Sequence, residues 1–209
     1  FWRRIRPGSG LSPARSWEGE VSVVTPDQVL AGGTRAVARA VSAVERGGDE
    51  AQDQFIFAGS LFEAKGVFYA LYTGYNRDYP QQGRPSQVLM VATRADLLHW
   101  RKTDRKLVVP QPGYDPNEWR DPYVFWNAEA GVYVMILGAR RLDGQKIRTG
   151  RTVWFTSTDL QDWAFQGDFW APDLFYMHEM PDIFKIGEYW YLLTTEYSDK
   201  NKTIYRMSQ

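Results

Sequence analysis

The chain has 209 residues, and its 25 Lys and Arg residues are balanced by 25 Asp and Glu residues, so the formal net charge is zero. This balance argues against a general nucleic-acid-binding protein, which carries a basic excess, and no apolar run of about 18 residues is present to cross a membrane. Cysteine is absent, which excludes disulfides and thiolate metal sites but leaves the compartment open between cytoplasmic and secreted.

The N-terminal segment, residues 1–52, is predicted to be irregular or partly helical and separate from a β-rich region over residues 53–209. The stretch TRAVARAVSAVERGG places Val37, Val41 and Val44 at i, i+4 and i+7, which is a helical spacing. A Val-rich run also suits a strand. No positively charged start followed by an apolar core is visible, so no signal peptide is expected in this sequence.

Pairs of strands joined by a glycine turn recur three times in the β-rich region. The second strands of these pairs are GVFYALYTG from Gly66, GVYVMILGA from Gly131 and GEYWYLLTT from Gly187. A turn of the form Asp-Leu-x-x-Trp follows in the first two units, at Asp96 and Asp159. The aromatic content of 15% suits half-buried strands of this kind and also the stacking of sugar rings.

The repeat predicts an all-β protein built from propeller blades. The three glycines are 65 and 56 residues apart, and three or four short strands per period of this size are typical of β-propellers. A β-sandwich is the alternative. Propellers close with about four to eight blades, so we expect an incomplete propeller, completed by a missing propeller segment or by homo-oligomerisation.

A polar cluster begins the first strand of each unit. The clusters are FAGS (Phe57–Ser60), EWRDP (Glu118–Pro122) and HEMPD (His178–Asp182). Because the innermost strands of a propeller line one channel, Asp121, Glu179 and Asp182 are expected around one pocket. Carboxylates held close together raise the pKa of at least one of them, and a protonated carboxyl beside an ionised one suits glycosidic bond cleavage. Taken singly, the Asp-Pro and Pro-Asp pairs are also common turn chemistry.

The order Phe-Ala-Gly-Ser, Trp-Arg-Asp-Pro and Glu-Met-Pro-Asp resembles glycoside hydrolase family 32, the β-fructosidase group of invertases, levanases, inulinases and related fructosyltransferases. The resemblance covers about Asp53 to Gln209 and includes the Asp-Leu-x-x-Trp turns. It implies a five-bladed propeller and a retaining hydrolysis or transfer of β-fructofuranosyl units from sucrose, levan or inulin. The implied partner is therefore a fructose-containing oligo- or polysaccharide.

The same resemblance implies roles for five residues. Glu179 would be the general acid/base, which protonates the leaving oxygen and later activates water. Asp121 would hydrogen-bond the fructose hydroxyls and stabilise the transition state, with Arg120 beside it. Phe57 and Ser60 would line the sugar pocket.

Three further candidates each have a structural alternative. Trp119 could offer a stacking face for the sugar, or it could simply be packed in the core. His178 could contact the sugar, or it could be a locally hydrogen-bonded histidine. Asp182 is expected to order the loop around Glu179 rather than to react.

The sequence departs from the family pattern at two places. Met180 stands where the family usually has Cys, which exchanges one soft apolar side chain for another. The family's nucleophile is an Asp in an N-terminal motif such as Trp-Met-Asn-Asp-Pro-Asn-Gly, and residues 1–54 contain no such motif. A sugar-binding propeller without turnover, an inactive remnant, and an arabinan- or xylan-type glycosidase on the same fold therefore stay open as alternatives.

No cofactor or metal is expected. The chain has two His and no Cys, which argues against a zinc site, and it has no Gly-x-Gly-x-x-Gly nucleotide fingerprint. A calcium site with oxygen ligands stays open.

Overall fold

The computed structural model describes residues 51–95, 100–197 and 202–209. The helix predicted within residues 34–48 and the first Asp-Leu-x-x-Trp turn lie outside or partly outside these ranges. None of the described residues forms a helix with the length and apolar character needed to span a bilayer. The described part contains a short 3-10 helix (Tyr79–Gln82) and the strands β1 (Phe55–Ala64), β2 (Val67–Tyr75), β3 (Gln87–Arg94), β4 (Arg101–Val108), β5 (Tyr114–Asn127), β6 (Val132–Arg141), β7 (Gly150–Ser157), β8 (Ala164–Trp170), β9 (Met177–Ile186), β10 (Tyr189–Tyr197) and β11 (Lys202–Ser208).

These strands form three antiparallel sheets in chain order. Strands β1 to β4 form blade 1, β5 to β8 form blade 2, and β9, β10 and β11 form blade 3. The first strands of the blades adjoin each other, with β5 in contact with both β1 and β9. Successive meanders arranged around their first strands are the architecture of a propeller. The prediction of an all-β propeller with about three visible blades is confirmed for the part of the chain that the structure describes.

The glycines of the repeat close the hairpins between the first two strands of each blade. In blade 1, Lys65 and Gly66 have φ values of 55° and 76°, and two successive positive φ values are what a type I′ hairpin turn requires. Gly131 and Gly187 also have positive φ, 65° and 60°. The strand–glycine–strand pattern of the sequence thus reflects a backbone requirement of tight hairpins.

The hydrophobic core lies between the blades, and β6 contributes to both interfaces. Met135 and Leu137 pack in the larger cluster between blades 1 and 2. Val134 and Ile136 pack in the cluster between blades 2 and 3. Successive side chains of a strand point to opposite faces, so a central blade with both faces covered is apolar at every position rather than at alternate ones.

Blade 3 packs directly onto the backbone of blade 2, because two glycines leave room for it. A Cβ atom placed on Gly138 of β6 would lie 1.9 Å from the carbonyl oxygen of His178, and one on Gly150 of β7 would lie 2.9 Å from Met177 Cα. Gly138 is also the cross-strand partner of Arg120. This close approach brings the start of β9 next to the Trp-Arg-Asp-Pro segment of β5.

Candidate active site

The first strand of each blade breaks its regular pairing at the polar cluster. In blade 1 the register shifts after Phe57, in blade 2 after Arg120, and in blade 3 after Glu179. Asp121 and Met180 follow the last two of these positions with φ values of 62° and 45°. A non-glycine residue with positive φ costs roughly 1–2 kcal/mol and recurs at functional sites. The bulges therefore make Asp121 equivalent to Met180, and Arg120 equivalent to Glu179.

A chain of hydrogen bonds joins the three bulges along the inner rim. The Thr73 hydroxyl donates to the carbonyl oxygen of Ala58 at 3.2 Å and accepts from the backbone N–H of Asp121 at 2.9 Å. Asp121 Oδ2 in turn accepts from the backbone N–H of Met180 at 3.0 Å. These bonds satisfy buried polar groups that the interrupted ladders leave unpaired, and they orient the three motifs relative to each other.

Arg120 bridges two carboxylates. Its Nη2 donates to Glu179 Oε1 at 2.8 Å, its Nη1 donates to the Glu118 carboxylate, and its Nε lies 3.9 Å from Asp121 Oδ2. Burial by itself lowers the pKa of Arg120, but the ion pairs with Glu118, Glu179 and Asp121 outweigh it, so that the pKa is raised. Arg120 therefore stays charged and fixes the Glu179 side chain.

Asp121 is the buried carboxyl of the cluster. Its relative exposure is 6%, and burial raises its pKa to about 6, against the opposing effects of the Met180 N–H and the Arg120 charge. Glu179 is more accessible, with 27% of its side chain exposed. The two carboxyls thus meet different surroundings, as acid/base chemistry on a sugar requires.

An open cleft of about 520 Å³ contains this cluster. Its lining residues come from all three blades: Phe57, Ala58, Tyr75, Gln87, Glu118, Arg120, Asp121, Glu179, Met180 and Tyr197. The Phe57 and Tyr75 rings stack at one side, with centroids 4.6 Å apart. Among the described residues, no group of three or more His, Cys, Asp or Glu side chains is arranged to hold a metal ion. The cleft therefore combines an aromatic wall, which can pack against a ligand, with carboxylates and one guanidinium, which can hydrogen-bond to it.

The cleft includes four of the eight residues that the sequence singled out: Phe57, Arg120, Asp121 and Glu179. Ser60 does not line this cleft. It borders a separate apolar cleft of about 240 Å³ beside Trp100, and its hydroxyl is buried without a hydrogen-bond partner among the described residues. The expected role of Ser60 in the sugar pocket does not fit this position.

The stacking face expected at Trp119 requires a correction, because the side chain is fully buried. Its ring packs edge-on against Tyr114 and Phe155, at centroid distances of 5.5 and 6.0 Å. Its backbone N–H donates to Gln87 Oε1 at 3.0 Å. Trp119 is a core residue that anchors the strand beneath Arg120.

His178 is also fully buried, so contact with a sugar is excluded in this structure. Its Nδ1 lies 3.2 Å from the Thr152 hydroxyl, and its Nε2 lies 3.6 Å from Glu196 Oε2. Burial, together with the charges of Arg151 and Arg206, lowers the pKa of His178 to about 4. His178 is therefore a neutral residue of the interface between blades 2 and 3.

Asp182 lies outside the cleft, on the far side of the bulge in β9. It accepts a hydrogen bond from the Tyr123 hydroxyl, and burial raises its pKa. Since Tyr123 belongs to β5, this contact fixes β9 against β5 close to Glu179. The position agrees with a structural rather than a reactive role.

The other six residues that line the cleft are not among those eight candidates: Ala58, Tyr75, Gln87, Glu118, Met180 and Tyr197. Glu118 had a usable signal, because it lies two residues before Arg120 and alternate residues of a strand share a face. Gln87 Oε1 accepts from Arg120 Nη1 at 3.4 Å, but Gln87 reaches the site from β3 of blade 1, and no local pattern indicates that contact.

Comparisons with known proteins agree with this architecture. The chain is 29% identical over 140 residues to a sucrose-6-phosphate hydrolase of Staphylococcus xylosus, over 66% of this chain and 27% of that protein. It is 32% identical over 140 residues to a sucrose-6-phosphate hydrolase of Salmonella typhimurium, over 63% of this chain and 28% of that protein. The chain thus spans less than a third of the length of these relatives.

A solved structure shows a similar fold, and a family model identifies the family. A variant of the family 32 β-fructofuranosidase of Bombyx mori, in complex with sucrose, has a TM-score of 0.59 at 22% identity, over 74% of this chain and 34% of that chain. The model described as "Glycosyl hydrolases family 32 N-terminal domain" matches residues 43–209. Since this match covers well over half of the sequence, the chain belongs to glycosyl hydrolase family 32.

Proposed function

We propose that this chain forms the acid/base half of a β-fructosidase site, which releases or transfers β-fructofuranosyl units with retention of configuration. The observation that carries the proposal is the ion pair between Arg120 and Glu179, 2.8 Å long, beside the buried carboxyl of Asp121 in one open cleft. The relatives named as sucrose-6-phosphate hydrolases and the sucrose-bound β-fructofuranosidase support a sucrose-like substrate.

Glu179 acts as the general acid/base in this proposal. It is the most accessible carboxyl of the ion-pair cluster, with 27% of its side chain exposed, so a glycosidic oxygen can approach it from the cleft. Protonation of that oxygen assists its departure, and the resulting carboxylate then activates a water molecule. Arg120 holds Glu179 in place, while Glu118 shares the charge of the same guanidinium.

Asp121 stabilises the sugar in this proposal. One of its oxygens accepts a hydrogen bond from the Met180 N–H, and the other would accept hydrogen bonds from sugar hydroxyls. The ionised carboxylate also favours the positive charge of an oxocarbenium-like transition state. A retaining reaction needs a nucleophilic carboxylate about 5–5.5 Å from the acid, and we assign that role to none of the described residues.

The test is the Glu179→Gln variant, assayed for fructose release from sucrose. Gln keeps the size of the side chain and can accept a hydrogen bond from Arg120, but it cannot transfer a proton, so we expect a loss of at least about 100-fold in kcat. Glu188→Gln is the matched control, since Glu188 is an exposed residue in the turn between β9 and β10 of the same blade. Unchanged fructose release in Glu179→Gln contradicts the assignment.

A second candidate function is sugar binding without turnover. It is favoured by the fact that all three acidic side chains of the cleft already accept hydrogen bonds from the protein, Glu118 and Glu179 from Arg120 and Asp121 from Met180. Calorimetry with fructose and a turnover assay separate the two functions. Binding without release of product supports the binding module, and release supports the enzyme.

A further inference from the structure

Tyr197 is an exposed aromatic residue at the wall of the cleft. It is the last residue of β10, and its relative exposure is 45%. Its backbone carbonyl accepts a hydrogen bond from the Tyr176 N–H at 3.0 Å, and the two rings meet edge to face with centroids 6.0 Å apart. The ring is therefore held in place at the lining of the cleft, and the described residues leave part of its surface exposed.

The register of blade 3 places Tyr197 close to Glu179. Glu179 pairs with Thr195, and Met177 pairs with Tyr197, so Tyr197 is the diagonal neighbour of Glu179 on the same face of the sheet. Diagonal neighbours lie about 7–8 Å apart, within reach of an aromatic side chain. A ring attached to an oxygen that Glu179 protonates would therefore be within reach of Tyr197.

The cleft has an aromatic wall from blade 1 and another from blade 3, and it is also lined by the ion-pair cluster. Phe57 stacked on Tyr75 forms the wall contributed by blade 1. Tyr197, supported by Tyr176, forms the wall contributed by blade 3. The hydroxyl of Tyr176 also donates to Glu118 Oε1 at 3.3 Å, so the second wall is tied to the carboxylate that steadies Arg120.

We propose that Tyr197 is the stacking platform for the leaving-group sugar, on the Glu179 side of the cleft. The inference rests on the proposed function, because only an acid at Glu179 defines the leaving-group side. The C–H face of a pyranose packs against an aromatic face, so Tyr197 discriminates a disaccharide such as sucrose from free fructose. Tyr197 is a specificity-determining residue in this assignment and takes no part in proton transfer.

The test is calorimetric titration of the chain with sucrose and with fructose. In Tyr197→Ala we expect sucrose affinity to fall by about tenfold, the loss of one aromatic contact, while fructose affinity is unchanged. Tyr197→Phe keeps the ring face and should bind both sugars as the parent chain does. Tyr189→Ala is the control, because Tyr189 is an exposed tyrosine at the opposite end of β10.

Each outcome decides the proposal. Equal losses for sucrose and fructose in Tyr197→Ala overturn it, since Tyr197 would then act on the fructose side or through folding. Unchanged sucrose affinity in Tyr197→Ala, with both sugars bound by the parent chain, overturns the platform alone and leaves the proposed function intact. If the parent chain binds neither sugar, the proposed function fails and the platform fails with it.

Discussion

The backbone N–H of Met180 donates a hydrogen bond to Asp121 Oδ2 at 3.0 Å, across the interface between blades 2 and 3. Both residues have positive φ and occupy equivalent bulges of successive blades. The side chain of one bulge thus holds the backbone of the next. This contact ties the Arg-Asp-Pro segment to the Glu-Met-Pro-Asp segment, and therefore helps to hold Asp121 and Glu179 in the same cleft.

The first prediction concerns the pH dependence of stability at Asp121. Burial raises its pKa from 3.8 to about 6 in the folded chain, so the folded state binds the proton more tightly than the unfolded state does. The stability that the folded chain gains from this tighter proton binding is fully present below pH 4 and is lost as the pH rises through 6. The pKa difference between the folded and unfolded states corresponds to on the order of 3 kcal/mol in the free energy of unfolding.

Asp121→Asn removes this ionisation and keeps an oxygen that can accept from Met180. Asn also tolerates positive φ, so the bulge should survive. We expect the variant to gain stability relative to the parent chain between pH 4 and pH 7, by up to about 3 kcal/mol. Urea unfolding at several pH values measures this difference. If the free energy of unfolding of the parent chain instead rose relative to that of the variant as the pH increases, the raised pKa of Asp121 would be contradicted.

The second prediction concerns Arg120, which is the cation of the cluster. Arg120→Gln leaves Glu118, Asp121 and Glu179 close together without their shared guanidinium. Removing one partner of a buried ion pair costs roughly 3–5 kcal/mol, and we expect a loss of this size in the free energy of unfolding at pH 7. The loss should begin to shrink as the pH falls through about 6, where Asp121 takes up a proton.

Arg105→Gln is the control for this measurement. Arg105 pairs with Asp162 on the surface, with side-chain exposures of 50% and 86%, and such pairs contribute about 1 kcal/mol or less. Equal losses in the two variants would show that Arg120 is no more than another surface cation.

The blade repeat could be predicted from the sequence because its signals are local. Gly66, Gly131 and Gly187 mark hairpins that need positive φ, and that need acts within a few residues. The motifs that begin the blades pointed to Arg120 and Glu179, which both line the cleft, for the same reason, since each motif is a short contiguous segment.

The roles of neighbouring residues were harder to predict, because they depend on the face of the strand. Trp119 precedes Arg120 and His178 precedes Glu179, so the period of two places both on the face opposite the cleft, where both are buried. That rule was available from the sequence. The bulge at Asp121 was not, because a one-residue change in register depends on pairing with β6.

The third prediction concerns the contact between blades at Gly138. A methyl group there would lie 1.9 Å from the carbonyl oxygen of His178, so Gly138→Ala must push β9 away from β6. We expect a loss of about 3 kcal/mol in the free energy of unfolding. Gly144→Ala is the control, since nothing lies within 4 Å of the position that its methyl group would take. Only the positive φ of 56° opposes this substitution, and that strain costs about 1–2 kcal/mol. Equal losses in the two variants would contradict a steric contact at Gly138.

The fourth prediction separates the packed aromatic residue from the exposed one. Trp119→Phe removes part of a fully buried ring and should reduce the free energy of unfolding by about 1–3 kcal/mol, with fructose affinity unchanged. Phe57→Ala removes one ring of the wall at the cleft, stacked on Tyr75 at 4.6 Å. It should weaken fructose binding by about tenfold and reduce stability by no more than about 1 kcal/mol.

Urea unfolding and calorimetric titration with fructose measure both quantities on the same preparations. The two variants should move different quantities, because Trp119 contacts Tyr114 and Phe155 whereas Phe57 faces the cleft. If Trp119→Phe lost fructose affinity while its stability stayed unchanged, Trp119 would have to be assigned to the sugar site after all. Full fructose affinity in Phe57→Ala would show that the fructose ring does not contact the blade 1 wall. The ion pair of Arg120 and Glu179 alone would then be the place where it binds.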